Sequence, residues 1–246
     1  MSNDGAESVP KILIFTRTLG YRHDSIPIAA SVLAEWGTET GLWESVHTED
    51  TGEVISGSQI MAFRKWLQNG GHFASMEASH AATTALTTES FYGNLTGAFF
   101  SGHPEIQSAT YQVSNPTHPA VSSLPPTWEH YDEIYQYHQD PRENNIILLL
   151  SAIQSSYSAT ATSGGVVSPI QLTPGGPPQP IAWFRDAGHQ LAPDLIHNGR
   201  LFQTGLGHAK ETWLYDTLFR DHIYGGIQWL LGLNVTNSAP GVTTGI

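Results

Sequence analysis

Apolar positions along this 246-residue chain switch between two spacings, and the switches mark the elements. Residues 11–16 form a continuous apolar run after a polar start, the pattern of a strand buried on both faces. The spacing then becomes helical: Ile26, Ala29, Leu33 and Trp36 line one face, with Asp24 or Ser25 as cap, Pro27 in the first turn and Gly37 as the end. Residues 42–48 read as a second strand. Ile60, Phe63 and Leu67 mark a second helix that begins at Ser56 or Ser58 and stops at Asn69-Gly70-Gly71. A short strand at 72–76 and a helix at 91–100 follow. Further strands are expected at 110–113, 133–137, 146–150, 181–184 and 201–204. Leu214, Leu218, His222, Ile223 and Ile227 then define a last helix. Residues 155–180 are rich in Ser, Gly, Thr and Pro and read as a long surface loop. One α/β domain over 11–233 is expected, flanked by disordered tails at 1–10 and 234–246.

Composition narrows the function classes. Hydrophobic residues make up 39%, enough for a sizeable core, and only 13% are charged. A net charge of −12 without a basic run argues against nucleic acid and against an anionic membrane surface as partners. With no cysteine, disulfides, thiolate metal sites and cysteine nucleophiles are excluded together. The acidic start lacks a signal-peptide core and no run is long enough for a membrane span, so a soluble cytoplasmic protein is expected.

The candidate chemistry lies in loops where strands end. Residues 16–24 place a glycine, two arginines and the pair His23-Asp24 just before a helix start, where free N–H groups favour oxygen-rich ligands. The plainer alternative makes Asp24 a cap and His23 a surface residue. Glu77 follows a short apolar strand and suits acid, base or hydroxyl-binding work; the alternative is an exposed loop acid. His103 is followed by Pro104, which restricts its backbone; a simple turn histidine is the alternative. His118, in a second His-Pro pair, reads as structural. Asp132 and Glu133 point to opposite faces if extended, and Glu133 is favoured for a pocket over two solvated acids. His208 follows Gly205-Leu206-Gly207 at the end of the last strand, where α/β sheets hold ligands; capping of the last helix is its alternative. Dinucleotide, Walker, Gly-x-Ser-x-Gly and His-Glu-x-x-His motifs are absent. His23, Glu77, His103 and His208 could gather round a metal, but their spacings match no local zinc pattern, so no metal ligand is assigned.

In order, Ile12 to Thr16 with Gly20-Tyr21-Arg22-His23-Asp24-Ser25, Ser101-Gly102-His103-Pro104, Asn115 to Pro119, Asp132-Glu133 with Tyr135, Pro180 to Trp183, Gly199 to His208 and Gly225 to Trp229 resemble the ThuA-like (trehalose utilisation) family. The resemblance implies a class I glutamine amidotransferase-like fold, a flavodoxin-like three-layer sandwich with a mostly parallel sheet. It also implies carbohydrate metabolism through a sugar-type ligand, and it names no cofactor, reaction or oligomeric state. Cysteine-dependent glutaminase chemistry is excluded, since there is no thiol. Three departures stand out. Glu77 occupies a position where the family has histidine, and Gln179 replaces another histidine before Pro180. The stretch between Asp50 and Thr51 is roughly twenty residues short, the size of one central strand with its connections. Its loss should leave a sheet edge unpaired or force the sheet to close over the gap.

Three hypotheses follow. An enzyme would use His23, Glu77, His103, Glu133 and His208 as acid, base or hydroxyl-binding groups. Arg17, Tyr21, Asp24, Tyr135, Trp183 and Gly207 would contact the ligand, Trp183 by offering a flat apolar face to a sugar. A non-catalytic carbohydrate-binding protein and a metal-dependent hydrolase or isomerase are the alternatives.

Overall fold

The elements run in the order β1 (Lys11–Phe15), α1 (Ser25–Thr40), β2 (Glu44–Thr48), α2 (Gly57–Gln68), β3 (Phe73–Met76), α3 (Phe91–Thr96) and β4 (Phe100–Gly102). Then come β5 (Gln107–Val113), β6 (Thr127–Asp132), β7 (Gln136–Tyr137), β8 (Ile147–Ala152), β9 (Gln179–Arg185), β10 (His189–Ala192), β11 (Leu195–His197) and β12 (Leu201–Thr204). Two helices, α4 (Lys210–Tyr215) and α5 (Thr217–Leu230), close the order. A computed structural model describes residues 8–18, 22–50, 57–77, 91–160, 176–234 and 238–243. Tyr21 and residues 161–175 of the expected surface loop lie outside the described residues.

The main sheet has six strands in the order β3-β12-β9-β8-β5-β6. Only β12 and β3 run parallel; the other four pairings are antiparallel. This corrects the expectation of a mostly parallel sheet. Parallel neighbours need a crossover, usually helical, and among the described residues the helices sit toward the two ends of the chain. From β5 to β8 the chain turns back through loops, β7 and a short 3₁₀ turn, and β6 and β8 both pair antiparallel with β5.

β1 and β2 form a separate parallel ribbon in the register Leu13 to Val46. Among the described residues β1 pairs with β2 alone and β3 with β12 alone, so each has one edge without a strand partner. The shortened stretch after Asp50 led to the expectation of such an edge. On the ribbon, Ile12 and Ile14 pack into the core while Leu13, Phe15 and Val46 are exposed.

Several expected boundaries shift. α1 runs past Gly37 to Thr40 and ends at left-handed Gly41. Gly37 serves packing instead: a Cβ there would lie 2.5 Å from the Trp43 ring. The expected helix at 91–100 divides into α3 and β4, because Gly97 at φ 87° turns the chain. The expected strand at 133–137 is reduced to β7, since β6 ends at Asp132. Residues 238–243, expected within a disordered tail, lie against the body. The Ala239 N–H donates to Asp221 (2.7 Å), the Thr243 N–H donates to Glu35 (2.7 Å), and Val242 packs on the core.

The core is aromatic: Trp36, Trp43, Tyr111, Phe202, Phe219 and Tyr224 are all buried within it. α5 approaches the loop after β5 so closely that a Cβ on Gly225 would meet the Pro119 carbonyl oxygen at 2.3 Å. Gly225→Ala should therefore cost about 3 kcal/mol through overpacking against backbone. Urea unfolding checks this, and a cost below about 0.5 kcal/mol would contradict the close packing. No helix among the described residues is long and apolar enough to cross a membrane.

Candidate functional site

Four chain segments bring their ends to one point. β3 delivers Glu77, the loop before α1 delivers His23, the turn after β6 delivers Glu133, and the turn after β12 delivers His208. The Glu77 oxygen Oε1 is the hub. It lies 3.6 Å from His23 Nδ1 and 3.2 Å from His208 Nδ1, and it accepts the Tyr135 hydroxyl at 3.3 Å. His208 Nδ1 also lies 3.3 Å from Glu133 Oε2. The other Glu133 oxygen meets His103 Nδ1 at 3.3 Å, and that nitrogen donates to the Pro104 carbonyl at 2.9 Å. The His23 and His208 rings meet edge to face, with centroids 4.5 Å apart. All five residues expected to carry chemistry are thus neighbours, joined by Tyr135.

Glu77 adopts φ 46°, a region that non-glycine residues rarely enter. Such backbone costs on the order of 1–3 kcal/mol and persists where surrounding structure enforces it. The carboxylates of Glu77 and Glu133 are both buried, and their ion-pair partners among the described residues are histidines only. The hydrogen bonds to Glu133 and Glu77 push the His208 imidazole up to about 10, against the opposing effect of burial. Burial alone would raise the Glu133 carboxyl. The His208 hydrogen bond and the charges of His103, His208 and His23 outweigh it and hold the group below the ordinary carboxylate range. The Tyr135 phenol is pushed well up, by burial first and then by Glu77 and Glu133.

A fully buried carboxylate holds the frame. Asp132 accepts the N–H groups of Glu133 (2.8 Å), Gly207 (2.7 Å) and His208 (3.2 Å) and faces His130 Nε2 at 3.3 Å. One side chain therefore positions the backbones of both Glu133 and His208. Behind it, the other His130 nitrogen lies 2.9 Å from Asp216, which also caps α5 through the Phe219 N–H. Burial opposes a charge on His130, but the two aspartates raise it to about 9, so it sits between them as imidazolium. The ring is clamped by Trp128 and Phe219.

Sequence reasoning passed over Asp132, His130 and Asp216. The available signal is the alternation along β6, where Trp128, His130 and Asp132 point inward together. The expectation that only one of Asp132 and Glu133 could face inward is corrected. The chain leaves extended geometry after Asp132, and both carboxylates are buried.

The expected ligand contacts fare differently. Tyr135 is in the site. Trp183 is not: it is fully buried, donates its indole N–H to the Thr96 carbonyl at 2.7 Å and packs edge-on to Tyr137, so it offers no free face. Asp24 occupies the N-cap position without a side-chain cap bond, and its side chain is exposed. Arg17 is exposed, near the Glu49 carbonyl. Gly207 acts through its backbone, at φ 121°, where a side chain would be strained. Gln179 is buried and donates to the Tyr135 carbonyl at 2.8 Å, so it supports the site from behind. His118 is structural as expected, stacked on Phe184 at 4.3 Å.

Comparisons with known proteins agree with this architecture. A family model described as "Trehalose utilisation" (ThuA) matches residues 42–230. A solved ThuA-like protein from Bacteroides uniformis ATCC 8492 superposes with a TM-score of 0.68 at 17% identity, covering 95% of this chain and 97% of that one. A second, from Parabacteroides merdae ATCC 43184, gives a TM-score of 0.64 at 17% identity, covering 94% and 93%. At that identity the likeness speaks for the fold. No curated protein matches the sequence.

Proposed function

Because the chain belongs to the trehalose utilisation (ThuA) family, we propose that the pocket around His208 binds a sugar-type metabolite and performs acid–base chemistry on it. The observation that carries this reading is the convergence of His23, Glu77, His103, Glu133 and His208 from separate segments onto one point. Two carboxylates supply acceptors for hydroxyl groups, and the imidazoles supply donors and transferable protons. His103 and His208 are about one-fifth exposed, so both can be reached from solvent. Asp132 fixes the backbones that carry Glu133 and His208, which keeps the groups in place before a ligand arrives.

The test is turnover of a panel of disaccharides and keto-sugars, with calorimetry on the same panel. His103→Ala and His208→Ala should each lower kcat/KM by about 10²–10⁴-fold. Full turnover in both variants rejects the catalytic assignment. Binding without turnover would make this a carbohydrate-binding protein that retains an enzyme's pocket, and absence of both would reject the sugar-type ligand.

A further inference from the structure

We propose that His23, Glu77 and His208 form a three-ligand site for a divalent first-row transition ion, with a fourth coordination position open toward the pocket. The candidate ligand atoms, one per residue, lie within 4.8 Å of one another. The separations are 3.6 Å from His23 to Glu77 and 3.2 Å from His208 to Glu77. An ion with bonds of about 2.0–2.1 Å in tetrahedral geometry holds its ligands about 3.3 Å apart. Charge-assisted N–H···O bonds are instead about 2.7–2.9 Å long. The observed spacings also suit ligands of one shared ion, which would take the place of the proton that His208 shares with Glu77.

Charge points the same way. Glu77 and Glu133 are both buried, and no lysine or arginine among the described residues is ion-paired with either. A dication bound by one carboxylate and two imidazoles, in place of the proton on His208, would balance the same two carboxylates. Two imidazoles and one carboxylate also suit the zinc and iron class of ions. Catalytic sites of this kind have three protein ligands and leave one position for water or substrate.

The surroundings resemble those of a metal centre. Metal-binding side chains are held by outer hydrogen bonds that fix their orientation. Here the Tyr135 hydroxyl meets Glu77, and Asp132 fixes the backbone of His208. Glu133 lies against His208 and also meets His103 through its other oxygen, which sets a proton acceptor beside the three ligands. The three ligand residues come from segments far apart in the chain, so no local metal motif marks the site.

The site shares the pocket of the proposed function but rests on its geometry alone. Protein purified without chelator or metal-affinity resin is assayed for metal content. It is then stripped and titrated with Zn²⁺ by calorimetry and with Co²⁺ by visible absorption, in the absence of any sugar. One equivalent of Zn²⁺, a d–d absorption band for bound Co²⁺, and at least a tenfold weaker Zn²⁺ affinity in both His208→Ala and Glu77→Gln are the expected results. His23→Ala, in the loop before α1, serves as a third variant if either of those unfolds, and circular dichroism reports folding. Absence of stoichiometric Zn²⁺ and Co²⁺ binding, or undiminished binding in folded variants, overturns the metal site. Sugar calorimetry on stripped protein separates the two readings: sugar bound with no ion taken up leaves the pocket standing and removes the metal.

Discussion

Acidification from pH 7 to pH 4 should remove most of this protein's stability, and three buried histidines are the main cause. Burial pushes His118, His197 and His222 down to about 4. Each is built in as a neutral ring. His222 donates through Nδ1 to the Ala120 carbonyl at 2.7 Å, while its Nε2 accepts from the Thr204 hydroxyl at 3.1 Å. His118 Nδ1 accepts the Ala120 N–H at 3.2 Å, so a proton there breaks the bond. His197 donates to the Gly71 carbonyl at 2.8 Å. Nearby cations add to the effect: Arg200 for His118, Arg185 for His197, and charged His130 for His222.

The sign follows from linkage. A folded value below the unfolded value of 6.5 means that unfolding takes up protons between pH 6.5 and 4. The stabilisation is full above pH 6.5 and is lost as pH falls toward 4. About 3 kcal/mol per histidine is the order of magnitude, which for three groups is comparable to a typical total stability of 5–15 kcal/mol. His130 acts oppositely. Its folded value of about 9 lies above 6.5, so its contribution is full below pH 6.5 and fades as pH rises through 9. Stability should therefore peak near neutral pH and fall on both sides. Urea midpoints measured from pH 4 to pH 9.5 check this. A flat profile between pH 6.5 and 4 would exclude the neutral, buried state of these rings.

The second large effect is expected at Asp132. Replacing it with Asn keeps the shape but removes the charge that His130 faces, and it sets an NH₂ group among backbone N–H donors. Breaking a buried ion pair on one side costs about 3–5 kcal/mol. The loss should also be local. Amide exchange at Gly207 and His208 should accelerate more than in the core strands, because their acceptor is the altered group. Asp216→Asn should cost less, since that carboxylate is only partly buried. Unchanged stability in Asp132→Asn, with unchanged exchange at Gly207, would remove its role as the anchor of the site.

Much of the site was legible in the sequence because loops at strand ends carry their own signals. His103 before a proline, Glu77 after an apolar strand and His208 after a glycine turn each stand out from local chemistry alone. Trp183 shows the limit of that reasoning. A tryptophan beside a sugar-type motif suggests a stacking face, yet this one is spent in the core, bonded to the Thr96 carbonyl. Asp132 shows the converse. Next to a second acid it looked interchangeable with Glu133, and only the bend after β6 separates an anchor from a functional group.

Elements set by nearest neighbours were determined by the sequence itself: α1, α5, most strands and the absence of any thiol chemistry. Periodicity and turn residues act over a few positions, and reading them needs no knowledge of the rest of the chain. Strand direction, the separation of β1 and β2 from the main sheet, and the meeting of His23, Glu77, Glu133 and His208 were decided by tertiary structure alone. The meeting of the site residues depends on contacts between residues 54 to 131 positions apart, as from His23 to Glu77 and from Glu77 to His208. Such contacts arise from which buried faces fit together and which charges must be compensated, and neither is written in any one segment.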